Sequence, residues 1–225
     1  MLNTNTLSQR TSNLTGKPAI ASGGALADEL GLMGARMSYA RNEEIFGEGE
    51  PAEYLYKVVS GAVRTCRILD DGRRQVSAFY MSGDFFGLEA GAEHSSSCEA
   101  ITNTTVIVFK RSAVDERAKR DGSVARKLWE ITAAELGRAQ DHVLQLIRSA
   151  EERISSFLLR MATRNRSANE FELPMCRQDI ADHLGLTIET VSRTLTQFTA
   201  AGLIGLPSSR HIVLRNRSAL ARLND

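Results

Sequence analysis

Glu189, Ser192, Arg193 and Thr196 stand at i, i+3, i+4 and i+7 within the stretch RQDIADHLGLTIETVSRTLTQF, Arg177 to Phe198. On a helix that spacing lines up four hydrogen-bonding side chains on one face, with no apolar residue among them. Their chemistry suits a base edge in the major groove, where guanine offers two acceptors to a forked guanidinium and cytosine offers an amino donor to a carboxylate. Arg193 and Glu189 serve those two partners from the first two turns of the helix, the part that enters the groove in a helix-turn-helix.

The surrounding residues supply the frame such a stripe needs. Ile180, Ala181 and Leu184 make one apolar face of a first short helix, and small Ala181 lets a second helix cross closely. Gly185 supplies the left-handed turn and Thr187 the next N-cap. Ile188, Val191, Leu195 and Phe198 are expected on the buried side of the second helix. After the motif, AGLIGLPSSRHIVLRN holds two short β-runs about a turn, a wing beside the reading helix. The sugar-phosphate contacts are therefore expected from Arg177, Gln178, Thr187, Thr190 and Thr196 of the motif and from Arg210 and His211 near the wing tip.

The rest of the chain is organised ahead of this head. The 225 residues have room for two modest domains, and 42% hydrophobic content is ample for their cores. No long apolar run and no secretion signal is read, so the expected location is the cytoplasm, without a membrane partner. Residues 1–24 read as a flexible tail rich in Thr, Ser, Asn and Gly, followed by a short helix from Ala25 to Gly34. From Met37 to about Lys110 short β-branched and aromatic runs are broken by turn residues. The stretch YLYKVVSGAVRTCRILDDGRRQVSAFY alone holds three strands, with Asp71-Gly72 as the clearest hairpin signal. This predicts an antiparallel roll or barrel over residues 25–111.

Residues 112–148 read as a long helix in which Leu128, Ile131, Leu136, Ala139, Val143 and Leu146 recur on one face, which can pack inside its own chain or against a second copy; the second copy is favoured, because helix-turn-helix proteins read paired half-sites as dimers. A hinge is expected at Arg148 to Glu152, then a helix with Ile154, Phe157, Leu158 and Met161 inward, and a loop at NRSANE, within a DNA-binding domain over 149–225.

Net charge is +1 and favours no partner, but from Met175 to Asn224 six arginines face three carboxylates and no lysine follows Lys127. The four histidines are scattered, which argues against a cupin-like metalloenzyme, and no catalytic residues, metal ligands or cofactor are assigned. Three widely spaced cysteines suggest neither disulfides nor a thiolate cage. Cys176, at the start of the first motif helix and next to Arg177, is the candidate for a peroxide-sensitive thiol whose oxidation lowers DNA binding.

In its order of parts the chain resembles the CRP/FNR family of bacterial transcription regulators, over roughly residues 25–225. ETVSR in the reading helix and SGDFFGLE at the end of the roll are most similar to its FixK branch. The resemblance implies an α+β fold: a cyclic-nucleotide-binding-like roll, a dimerisation helix and a C-terminal winged helix-turn-helix. It implies that Glu189, Ser192 and Arg193 read a TTGA half-site, Ile188 standing where catabolite activators carry an arginine. It also implies activation through RNA polymerase at genes for microaerobic or anaerobic respiration or nitrogen fixation. Two sensor chemistries do not carry over. The run Gly87-Leu88-Glu89 displaces the nucleotide-binding glutamate by one place, and His94-Ser95-Ser96-Ser97-Cys98 lacks the phosphate arginine, so no obligatory cyclic nucleotide is expected. A four-thiolate cluster cannot form in one chain with three cysteines. The alternative left open is gating by an unrecognised effector.

Overall fold

A computed structural model describes residues 34–165 and 169–224. The expected tail and the proposed helix before Gly34 lie outside the described residues.

The roll is built from β1 (Ala35–Tyr39), β2 (Glu44–Phe46), β3 (Tyr54–Ser60), β4 (Ala62–Ile68), β5 (Arg74–Met81), β6 (Phe85–Phe86), β7 (Ser97–Ala100) and β8 (Thr104–Lys110). They form two four-stranded antiparallel sheets, ordered β1-β8-β3-β6 and β2-β7-β4-β5. The three strands read from one stretch are β3, β4 and β5, and Asp71-Gly72 closes the β4–β5 hairpin with Gly72 at φ +82°. Gly61 does a different job. At φ +85° it carries the chain from one sheet to the other, and a Cβ there would lie 2.5 Å from Thr104 Oγ1. Phe46, Tyr56, Val63, Phe86 and Val106 fill the space between the sheets.

The region expected as one helix is two, α1 (Arg111–Arg120) and α2 (Gly122–Gln145). Asp121 leaves the helical region at φ −131°, ψ 102°, ends α1, and caps α2 by accepting from Ser123 N. The hinge also shifts: α2 stops at Gln145, and α3 (Ala150–Arg164) already starts from a capping box of Ser149 and Glu152. Ile154, Phe157, Leu158 and Met161 of α3 are buried as the periodicity implied.

Then come β9 (Glu170–Glu172), α4 (Arg177–Leu184), α5 (Ile188–Ala200), β10 (Ile204–Gly205), β11 (His211–Leu214) and α6 (Arg217–Arg222). The wing is a three-stranded sheet, β10-β11-β9, because Phe171 turns inward and Glu170–Glu172 pairs with β11. That strand was not expected. Three residues give no period to read.

The faces of α2 need correction. Leu128 and Ile131, assigned to a second copy, pack on their own roll against Leu55, Phe85, Ile107 and Phe109. Trp129 takes the outward place instead, 73% exposed, together with Leu136 at 59% and Val143 at 64%. Positions 129, 136 and 143 repeat every seven residues and, with exposed Ala139 and Leu146, form a coiled-coil-like seam.

Candidate nucleic-acid interface

Gly185 takes φ +63° and ends α4 with its N–H on Ala181 O, as a left-handed C-cap does. Thr187 then caps α5, accepting from Thr190 N. The short turn brings Ile180, Ala181 and Leu184 of α4 against Val191, Leu195 and Phe198 of α5, all buried. Ile188 does not join them. It is 36% exposed in the first turn of α5, while Thr194 is buried in the interior of the helix.

On the outer side Glu189, Arg193 and Thr196 are exposed and Ser192 is half-buried. Neither the Glu189 carboxylate nor the Arg193 guanidinium forms an ion pair or hydrogen bond with another described residue, although they stand four apart on α5. Their donors and acceptors face outward unspent. Thr196 Oγ1 donates to Ser192 O at 3.0 Å, and Ser192 Oγ accepts from Arg177 Nη1 at 3.2 Å. Around this stripe the candidate backbone contacts divide. Gln178 is exposed at the start of α4 but bonds Asp182 Oδ1 at 2.6 Å, and Thr187 shares a hydrogen bond with Thr190 at 3.1 Å. Arg210 donates to Pro174 O at 3.3 Å, and His211 Nε2 lies 2.6 Å from Glu170 Oε1 across the wing sheet.

The other side of α4 is docked on the roll by a cluster the sequence did not reveal. Asp179, 2% exposed, accepts from Arg64 Nη1 at 3.0 Å and Arg74 Nη2 at 2.7 Å, and Arg74 Nε reaches Asp182 at 2.8 Å. His183 Nδ1 meets Val76 O at 3.0 Å while its ring stacks on His142 of α2, centroids 4.4 Å apart. Burial pushes the His183 pKa down to about 3, with His142 as a further cause, so the ring is neutral and donates through Nδ1. Pairs such as Arg64 and Asp179 lie 115 residues apart, and no local pattern announces them.

Cys176 is half-buried at the N-cap of α4, but its partner is not Arg177. The thiol donates to Asp179 Oδ2 at 3.2 Å, and the Cys176 N–H donates to the same oxygen at 3.2 Å. Arg177, expected beside the thiol, reaches across to α5.

A cavity of about 1230 Å³ runs from the roll to the junction of α2, α3 and α4. At its roll end stands Glu89, whose carboxylate already accepts from Ser95 Oγ at 3.1 Å and whose carbonyl accepts from Arg111 at 2.6 Å. Phe46 stacks on His94 at 3.6 Å beside it. The turn region carries no arginine, but α2 and α3 bring Arg138, Arg160 and Arg164 to the cavity wall. Arg138 pairs with Glu135 and Arg164 with Asp84, whereas Arg160 is bonded to the neutral amide of Gln145.

Comparisons with known proteins place this arrangement. Residues 36–121 match the cyclic nucleotide-binding domain and residues 152–223 the Crp-like helix-turn-helix domain. The chain is 50% identical over 204 residues to the nitrogen fixation regulation protein FixK of Azorhizobium caulinodans, covering 88% of this chain and 82% of that protein. It is 30% identical to the fumarate and nitrate reduction regulatory protein of Escherichia coli K12, over 81% of this chain and 76% of that one. The structure of FixK2 from Bradyrhizobium japonicum superposes with a TM-score of 0.83 at 51% identity, covering 86% of this chain and 98% of that one. With a roll of cyclic-nucleotide-binding type, a helix-turn-helix whose reading face is exposed, and FixK relatives at such identity, the chain belongs to the CRP/FNR family of DNA-binding transcription regulators.

Proposed function

We propose that this chain is a homodimeric transcription activator that reads TTGA-type palindromes and needs no cyclic nucleotide to do so. The unspent carboxylate and guanidinium of Glu189 and Arg193 on the outer face of α5 carry this reading. The exposed seam of α2 supports the dimer, which presents two reading helices to half-sites about one helical turn, ~10 base pairs, apart. The names of its FixK relatives support nitrogen-fixation genes as targets, and the family resemblance adds genes of microaerobic or anaerobic respiration as the alternative and contact with RNA polymerase as the route of activation. Site selection from random DNA, with and without cyclic AMP, tests the core of this reading. A TTGA-type palindrome with unchanged affinity in the two arms is expected, and an unrelated consensus or a nucleotide requirement would sink it.

Two refinements go with it. The large cavity, with Arg160 on its wall hydrogen-bonded to the neutral amide of Gln145, favours an effector-gated version, with a small ligand of unrecognised identity, as the second reading. A cyclic-AMP-dependent rise in melting temperature, lost in Arg160→Met, would select that version. Oxidation of Cys176 is the other. A sulfinate there would set a second anion against the Asp179 carboxylate that ties α4 to the roll. Peroxide should lower DNA affinity of the parent and spare Cys176→Ser, with Cys66→Ser and Cys98→Ser behaving as the parent, since Cys66 and Cys98 are buried in the roll. Equal loss in Cys176→Ser would end the redox role.

A further inference from the structure

We infer that Arg177 is a specificity-determining positioning residue: its guanidinium orients the Ser192 hydroxyl as a donor to the base edge. This rests on the reading of α5 as the recognition helix. A guanidinium has donors only, so the 3.2 Å contact between Arg177 Nη1 and Ser192 Oγ makes the serine oxygen the acceptor. The hydroxyl proton then remains, and among the described residues Ser192 Oγ donates to nothing.

The neighbouring hydroxyls differ. Thr196 and Thr199 donate to the carbonyls of Ser192 and Leu195 four residues back, and Thr187 and Thr190 bond to each other. Of the two hydroxyls on the outward stripe, Ser192 and Thr196, only Ser192 keeps its proton unspent among the described residues. Accepting from a cation polarises the O–H, which strengthens it as a donor and weakens the oxygen as a second acceptor. Arg177 itself is not free to swing. It is half-buried between α4 and α5, and its Nε is buried with no hydrogen-bond partner among the described residues. A buried, unsatisfied N–H is a cost that packing alone does not explain, and holding Ser192 does.

The consequence is chemical selectivity. A hydroxyl in the major groove can donate to thymine O4, to the purine ring nitrogens and to the guanine carbonyl, but meets no acceptor on cytosine, whose polar group there is an amino donor. Arg177 therefore helps to exclude cytosine at the position Ser192 faces without touching a base.

The test measures affinity of the full-length protein on an operator panel in which each half-site position carries all four base pairs, for the parent, Arg177→Met, Arg177→Lys, Ser192→Ala and the Arg177→Met/Ser192→Ala double variant. At one position the parent should reject cytosine by roughly tenfold or more. Arg177→Met should cut that ratio to about threefold or less at that position alone, Ser192→Ala should do the same, and the double variant should add nothing, while Arg177→Lys keeps the preference because it still donates. A uniform loss on every sequence in Arg177→Met, with the salt slope reduced by about 0.9, would make Arg177 a phosphate contact and overturn the inference. An unchanged cytosine ratio would overturn it as well. If circular dichroism shows Arg177→Met unfolded, Arg177→Gln carries the same comparison, since its amide carbonyl can take the serine proton and should weaken the cytosine exclusion. A parent with no base preference at any position removes instead the reading of α5, and that is seen before any variant is made.

Discussion

Helices α5 and α2 are both amphipathic, yet they spend their apolar faces in opposite ways. In α5, Val191, Leu195 and Phe198 are buried within the chain and the polar stripe is left facing out. In α2 the face with Leu128 and Ile131 finds a partner on the roll, and the seam of Trp129, Leu136 and Val143 is left exposed among the described residues. An apolar seam at seven-residue spacing that stays exposed is a surface made for another helix, whereas an exposed polar stripe is one made for a hydrogen-bonding partner. Function in this molecule is read from what each helix leaves uncovered.

The strongest way to break the comparison is to charge the seam. Leu136→Glu with Val143→Glu should leave the circular dichroism of the chain unchanged, convert it to monomer in sedimentation, and weaken palindrome binding roughly 10²–10⁴-fold as the linked second half-site is lost. A dimer that survives this substitution would mean the seam is not the interface. Next comes the buried side of α5. Leu195→Ala removes a side chain 2% exposed and should destabilise the DNA-reading domain by about 2–5 kcal/mol in denaturant unfolding, with the oligomeric state kept. Loss of dimerisation at native denaturant concentrations would show that the two helices are not independent.

The inner junction of α2 with α4 gives a pH signature. His183 is neutral in the folded chain because burial holds its pKa at about 3, well below the ~6.5 of an unfolded histidine. Below pH ~6.5 the unfolded chain takes up a proton that the folded one refuses, so stability falls with pH between ~6.5 and about 3, by at most roughly 1.4 kcal/mol per pH unit from this group, and is insensitive above. His142, also lowered by burial, adds to the same direction. Urea unfolding at pH 7.5 and 5.0 should show the drop, and His183→Asn should flatten it. An equal drop in the variant would place the titration elsewhere. The smallest effect belongs to Ile188, on the uncovered side of α5: Ile188→Ala should change stability by no more than about 0.5 kcal/mol, against the larger cost at Leu195. A cost comparable to Leu195→Ala would put Ile188 back in the core.

The parts of this protein that were legible in its sequence are those set by neighbours within a few residues. The left-handed Gly185, the Thr187 cap, the alternating faces of α4 and α5, and the Asp71-Gly72 hairpin follow from backbone preferences and local periodicity, and so does the stripe of Glu189, Ser192 and Arg193. Periodicity shows that α2 is amphipathic but not which of two adjacent stripes is covered, so it points Leu128 and Ile131 outward and gives no sign of Trp129. The roll decides that, by offering Phe85 and Phe109 to one stripe and, among the described residues, no apolar partner to the other. Tertiary structure alone brought Arg64 and Arg74 to Asp179 and Asp182, turned Arg177 from Cys176 to Ser192, and gave the Cys176 thiol a carboxylate for a partner. Each of these joins residues whose meeting depends on how the roll, α2 and the helix-turn-helix pack together, because a charge or a hydroxyl carries no periodicity of its own and its partner is chosen only when distant surfaces close.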